Sequence, residues 1–169
     1  RVPVEKRVFG TADHGVRPPF FQPLECLNVL VEGVTFKNSP SWTLHPVRCE
    51  NMVFRHVRVY NPEHAHNTDG IDVDGCRRVL VEHCEVDTGD DGICLKAGKN
   101  EDGWASGKPC EDIIIRHNVV RNGHGGITLG SELSAGIRNV HVHDCLFSGT
   151  DRGIRMKSAP GRGGYIRNV

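Results

Sequence analysis

Short apolar runs recur along the chain at nearly regular intervals. Segments beginning at Asn28, Asn51, Arg78, Asp112 and Asn139 each open on a strand-like run: Val29-Leu30-Val31, Met52-Val53-Phe54, Val79-Leu80-Val81, Ile113-Ile114-Ile115 and Val140-His141-Val142. A second run follows six to eight residues after each start: Val34-Thr35-Phe36, Val57-Arg58-Val59, Cys84-Glu85-Val86, Asn118-Val119-Val120 and Cys145-Leu146-Phe147. Ten residues after each start stand Asn38, Asn61, Thr88, Asn122 and Gly149, residue types suited to left-handed or side-chain-bonded turns. A third run, headed by glycine, closes most copies: Gly70-Ile71-Asp72-Val73, Gly92-Ile93-Cys94-Leu95, Gly126-Ile127-Thr128-Leu129 and Gly153-Ile154-Arg155-Met156, with Trp42-Thr43-Leu44-His45 in the first.

The starts are 23, 27, 34 and 27 residues apart. Three short strands at that period describe one coil of an all-β, right-handed, single-stranded parallel β-helix. A propeller blade needs four strands in about 40 residues, and the leucine spacing of leucine-rich repeats is absent. The pattern predicts a lead-in segment or incomplete coil over 1–27 and a β-helical core over 28–169. That core holds about five coils, starting near 28, 51, 78, 112 and 139, with terminal caps missing and the C-terminal end truncated. Stacked coils stand about 4.8 Å apart, so aligned positions become columns of like residues. The turn column of Asn38, Asn61 and Asn122 then reads as a hydrogen-bonded ladder between coils.

Composition narrows the picture. Twenty-one Lys and Arg balance 21 Asp and Glu, which removes the broad field of a non-specific nucleic-acid binder. No run approaches the roughly 18 apolar residues of a membrane span. Glycine, 20 of 169 residues, suits a chain of many turns. Of the seven cysteines, none forms a Cys-x-x-Cys pair, so a zinc or redox motif is unsupported. Cys26, Cys49, Cys76 and Cys110 share one column and Cys84 and Cys145 another, which favours buried, reduced thiols over disulfides.

Chemistry concentrates at the third strand and the turn before it. Alignment on the glycines puts Asp69, Asp91, Gly125 and Arg152 in one column and Thr68, Asp90, His124 and Asp151 in the next. With Ile71, Val73, Ile93 and Leu95 facing inward, Asp72, Cys94, Thr128 and Arg155 face outward, as do Asp74, Lys96 and Lys157. Cys94 is therefore expected outside the core. Asp69, Asp90 and Asp91 converge within two coils, where like charges should raise at least one carboxyl's affinity for its proton. A protonated carboxylic acid beside ionised partners is the equipment of an inverting glycosidase. A Ca²⁺ site or plain Asp-Gly turns would leave the same cluster. Arg155 and Lys157, on one side of a strand two coils along, suggest a clamp for an anionic ligand. An acidic sugar would meet both ends of this face.

Asn67-Thr68-Asp69-Gly70, Gly89-Asp90-Asp91, Gly123-His124-Gly125 and Arg155-Met156-Lys157 resemble, in order and spacing, the four signature motifs of the polygalacturonases, glycoside hydrolase family 28. Met156 replaces the usual Ile. The resemblance covers about residues 24–169 and implies a pectin-lyase-like β-helix that hydrolyses α-1,4-galacturonosyl bonds by inversion, with no metal and no cofactor. It further implies that Asp90 is the general acid and that Asp69 with Asp91 activates water. His124 would support the acid, Arg155 and Lys157 would hold a galacturonate carboxylate, and Asn67 would line the cleft. The implied partner is an acidic polysaccharide, with no nucleic acid, no membrane and a monomeric state; such a substrate favours secretion or the periplasm. The Gly-His-Gly motif favours homogalacturonan. The insertion at 98–109 resembles those of exo-acting members, and its Trp104 could stack on a sugar or pack on its own coil. Asp72, Asp74 and Asp87 would tune the cleft's field or merely solvate it. His14, His45, His56, His64 and His66 read as surface or turn residues. Competing readings are a β-helical pectate lyase, which would use Ca²⁺ and an Arg base, and a non-catalytic carbohydrate-binding or adhesin fragment.

Overall fold

The computed structural model describes residues 17–169; His14 and most of the lead-in lie outside them. The chain coils through β1 (Leu27–Glu32) and β2 (Thr35–Lys37), then β3 (Glu50–Arg55), β4 (Arg58–Tyr60) and β5 (Ile71–Asp74). The following coil holds β6 (Arg77–Glu82), β7 (Glu85–Asp87) and β8 (Ile93–Lys96), after which a short helix, α1 (Asn100–Ser106), interrupts the pattern. Next come β9 (Cys110–Arg116), β10 (Val119–Arg121) and β11 (Ile127–Leu129), then β12 (Ile137–His143), β13 (Leu146–Ser148) and β14 (Ile154–Met156), and finally β15 (Ile166–Arg167).

Each strand pairs in parallel with its counterpart in a neighbouring coil, and the inner ones in both, giving three sheets: β1-β3-β6-β9-β12-β15, β2-β4-β7-β10-β13 and β5-β8-β11-β14. This is a right-handed parallel β-helix. Alternation on each strand sends one side chain in two to the interior. There Met52, Val79, Ile113 and Val140 stack in one column and Ile71, Ile93 and Ile127 in another, all buried. β-Branched residues fill such columns well because their stiff side chains suit a pleated, laterally crowded surface.

Several expectations change in detail. The first copy's Trp42-to-His45 run makes only isolated bridges, Leu44 to Phe21 and to Ile71. The longest asparagine ladder sits at the repeat starts, where Asn28, Asn51, Arg78, Asp112, Asn139 and Asn168 all have φ of 54–58°. Asn51 Nδ2 donates to Asn28 Oδ1 at 3.0 Å, Asn139 Nδ2 to Asp112 Oδ1 at 3.0 Å and Asn168 Nδ2 to Asn139 Oδ1 at 3.2 Å. In the column expected to form the ladder, Asn61 instead turns inward, accepting from Ser39 N and donating to Thr43 Oγ1 and the Thr68 carbonyl. His45 is buried rather than superficial, between Gln22 at 2.7 Å and Asp74 at 3.2 Å. The cysteines stack as free thiols, Cys26 N on Cys49 Sγ and Cys49 N on Cys76 Sγ. Asn118 bridges Cys84 to Cys145.

Candidate active site

The third sheet, with the turns that lead into it, carries the site. Asp69 precedes β5, Asp90 and Asp91 precede β8, His124 precedes β11, and Arg155 lies on β14 with Lys157 just beyond it. Parallel stacking brings these sequence-distant groups together, because Ile71 pairs with Ile93, Ile93 with Ile127 and Ile127 with Ile154.

The three aspartates occupy different surroundings. Asp91 is fully buried, with Lys157 Nζ 2.6 Å from Oδ2 and Arg155 Nη1 3.6 Å from Oδ1. The two cations of the expected clamp therefore face a carboxylate of the protein itself. Asp90 is the open member, its side chain 17% exposed. Its Oδ2 accepts from Asn67 N at 3.1 Å, its Oδ1 accepts from Asp91 N at 2.8 Å, and the half-exposed His124 ring stands 3.4 Å away. Asp69 is buried, with the Cys94 thiol 3.5 Å from Oδ2 and no hydrogen bond to Oδ1. Burial raises its affinity for a proton, Lys96 opposes that, and Asp90 and Asp91 add to it; the carboxyl is pushed up to about 7. The raised carboxyl of the three is thus Asp69, the one buried without an ion pair among the described residues.

Local sequence explains this arrangement. Asn67 adopts φ of 57°, a left-handed conformation that asparagine tolerates, and so aims its N–H at Asp90. Its side chain accepts from Arg17 at 3.0 Å. The glycines around His124 have steric reasons. A Cβ at Gly123, whose φ is 80°, would strike the Asp90 carbonyl; one at Gly125 would strike Thr128 Oγ1 and stand 3.1 Å from Asp91 Oδ1. His124 is thereby held against Asp90, its N–H donating to the Asp90 carbonyl at 3.2 Å.

Outward-facing positions are not all solvated. Asp72, Cys94 and Thr128 are fully buried and Lys96 nearly so, forming the floor beneath the aspartates. Cys94 lies outside the hydrophobic cluster, and burial pushes its thiol well up. Lys96, Trp42 and Glu132 received no role from sequence reasoning. The available signal was Lys96 at the alternate position beyond Cys94, in register with Asp74. Asp74 itself accepts from Gly98 N at 2.8 Å and from His45, while Asp87 accepts from Asn122 at 2.8 Å. Trp104 packs on a later coil, its Nε1 donating to the Arg162 carbonyl at 3.1 Å. His56, His64 and His66 are exposed, with His56 stacked on His83. Asp69, Asp91 and Cys94 are close enough together to hold a metal, but a thiol is not a donor that Ca²⁺ takes.

The profile of glycosyl hydrolases family 28 matches residues 8–169. A probable polygalacturonase of Vitis vinifera is 34% identical over 154 residues, covering 90% of this chain and 31% of that protein. The crystal structure of a hyperthermoactive exopolygalacturonase from Thermotoga maritima superposes with a TM-score of 0.89 at 44% identity, covering 99% of this chain and 37% of the other. A polygalacturonase from Erwinia carotovora ssp. carotovora superposes with a TM-score of 0.82 at 30% identity, covering 90% and 38%. The chain spans about a third of the length of these relatives.

Proposed function

The chain belongs to glycosyl hydrolases family 28, and on that premise we propose that the protein is a polygalacturonase hydrolysing α-1,4-galacturonosyl linkages of homogalacturonan by single-displacement inversion, without a metal or cofactor. The observation that carries this reading is the division of environment among three adjacent carboxyls. Asp90 is open to the cleft, so it is the group able to reach a glycosidic oxygen and protonate it. Asp91 is held between Lys157 and Arg155. With Asp69 it would draw the proton from the attacking water on the opposite face of the sugar. His124 beside Asp90 supports the acid, and the N–H of Asn67 fixes the Asp90 carboxyl from the other side. Arg155 and Lys157, each about 30% exposed, retain room to meet a galacturonate carboxylate while paired with Asp91. The helix-bearing insertion, and an exo-acting relative among the solved structures, lean the reading towards exo action.

The test is incubation of the intact protein with polygalacturonate. New reducing ends without an unsaturated, ultraviolet-absorbing product are expected, and Asp90→Asn should lower the rate at least about 100-fold with the fold retained. Activity of Asp90→Asn within a few-fold of the parent would remove Asp90 from the role of acid. A chelator-sensitive, absorbing product would replace hydrolysis by lyase chemistry.

A further inference from the structure

The lead-in segment carries a group that reaches the site from outside the repeats. Arg17 precedes Pro18 and Pro19, a pair that has no N–H to donate and keeps the backbone extended. Just beyond, Phe20 N donates to the Trp42 carbonyl at 3.0 Å, Phe21 N donates to the Thr43 carbonyl at 2.9 Å, and the Phe20 ring meets Phe36 edge-on. A stiff link thus ties Arg17 to the first coil. Its guanidinium donates to acceptors in two different coils: Nη1 to the Pro40 carbonyl at 3.0 Å and the His66 carbonyl at 2.7 Å, and Nη2 to Asn67 Oδ1 at 3.0 Å. A planar fork of fixed donors suits such a set of acceptors.

The His66 carbonyl and the Asn67 N–H belong to one peptide group. A trans peptide is planar, and its C=O and N–H point in opposite directions. Arg17 therefore grips one edge of this plane while the other edge donates to Asp90 Oδ2 at 3.1 Å. Turning the peptide over would break both bonds at once. The next carbonyl along, that of Thr68, is fastened from within the coils, accepting from Asn61 Nδ2 at 2.9 Å and from Thr88 Oγ1, both buried residues. Asn67, at φ of 57°, lies between these two anchorages. Arg17 supplies the upstream one.

We propose that Arg17 is a positioning residue for the acid: through the 66–67 peptide it fixes the Asp90 carboxyl where a glycosidic oxygen arrives. A guanidinium, a peptide and a carboxyl joined in series also polarise one another. Asp91 N holds Oδ1 of the same carboxyl at 2.8 Å, so loss of Arg17 loosens one oxygen and leaves the other bound. The carboxyl then swings about the remaining bond, and its proton is less often aimed at the leaving oxygen. The consequence for catalysis rests on the polygalacturonase reading; the grip on the peptide does not.

In Arg17→Met, unbranched and without donors, kcat on polygalacturonate is expected to fall about tenfold, with KM within about twofold of the parent. Asp90→Asn has no proton to deliver, so adding Arg17→Met to it should cost less than about twofold more. The same loss in both backgrounds would overturn the inference, since that is the mark of a merely structural role. A raised KM at unchanged kcat would overturn it too, because Arg17 would then serve substrate binding through Asn67. If the methionine variant folds poorly, Arg17→Lys, which keeps the charge without the planar fork, is expected to lose at least about threefold in kcat, and a parental rate in it would count against the proposal. Hydrogen exchange of the 62–68 segment reads the grip without turnover: at least about fivefold faster in Arg17→Met, with strand amides unchanged, whereas parental exchange there would refute the grip. A parent protein inert on polygalacturonate would sink the polygalacturonase reading, while the exchange would still decide whether Arg17 holds the peptide.

Discussion

Asp69 shows how a single carboxyl couples stability to function. Its native form holds a proton up to about pH 7, whereas an aspartate in an unfolded chain releases it near 4. Between those values the native state binds more protons than the unfolded one, so this group's contribution to stability falls as pH rises across the window. Asparagine has no such dependence. Asp69→Asn is therefore expected to be more stable than the parent at pH 8, on the order of 2–4 kcal/mol, and nearly equal to it at pH 4, while losing hydrolysis. Denaturant unfolding at the two pH values checks this; equal stability at both would show that the buried carboxyl is not strained by ionisation.

Strand stacking repeats at the level of charge what it does for the apolar columns. Along the β1-β3-β6-β9 sheet, Glu32, Arg55, Glu82 and Arg116 are register neighbours of alternating sign. Glu82 is the junction, bonded by Arg55 Nε at 2.7 Å and by Arg116 Nη2 and Nε at 2.7 and 2.9 Å. A second ladder runs through Glu50, Arg77, Glu111 and Arg138. Arg116 foremost, then Arg55, hold the Glu82 carboxyl below its usual range, so its stabilisation is present above the unfolded-state value and fades as pH falls through the lower native one. Glu82→Gln should cost about 1 kcal/mol at pH 7, with the deficit shrinking under acid and under high salt. Thermal unfolding across pH tests it, and a deficit independent of both would point to packing instead.

At the scale of the molecule, variation is confined to what joins the coils. The longest interval, 34 residues, contains α1, and a cavity of about 240 Å³ lies between that insertion and the site's floor, lined by Trp42, Asp74, Lys99, Asp102 and Glu132 among others. If the insertion closes one end of the cleft, as the proposed exo action requires, replacing 99–107 by a short turn should shift the products from the monogalacturonate expected of that reading towards a ladder of oligomers. Product sizing measures this, and an unchanged product pattern would locate the end wall elsewhere. The repeat was legible because a coil of regular height demands like residues at like positions: apolar residues inward, Asn or Asp where φ is positive, and glycine where Asp90 and Asp91 fill the space beside His124. The sequence alone therefore determined the solenoid, the period and the convergence of the aspartates. It did not tell that Arg155 and Lys157 pair with Asp91, that outward-facing Asp72, Cys94 and Lys96 are buried, or that Asp69 is the carboxyl pushed up. Those were decided by the tertiary structure, because alternation gives only the side of a strand on which a residue lies, whereas burial and ionisation depend on which charges and rings the neighbouring coils and loops fold over it.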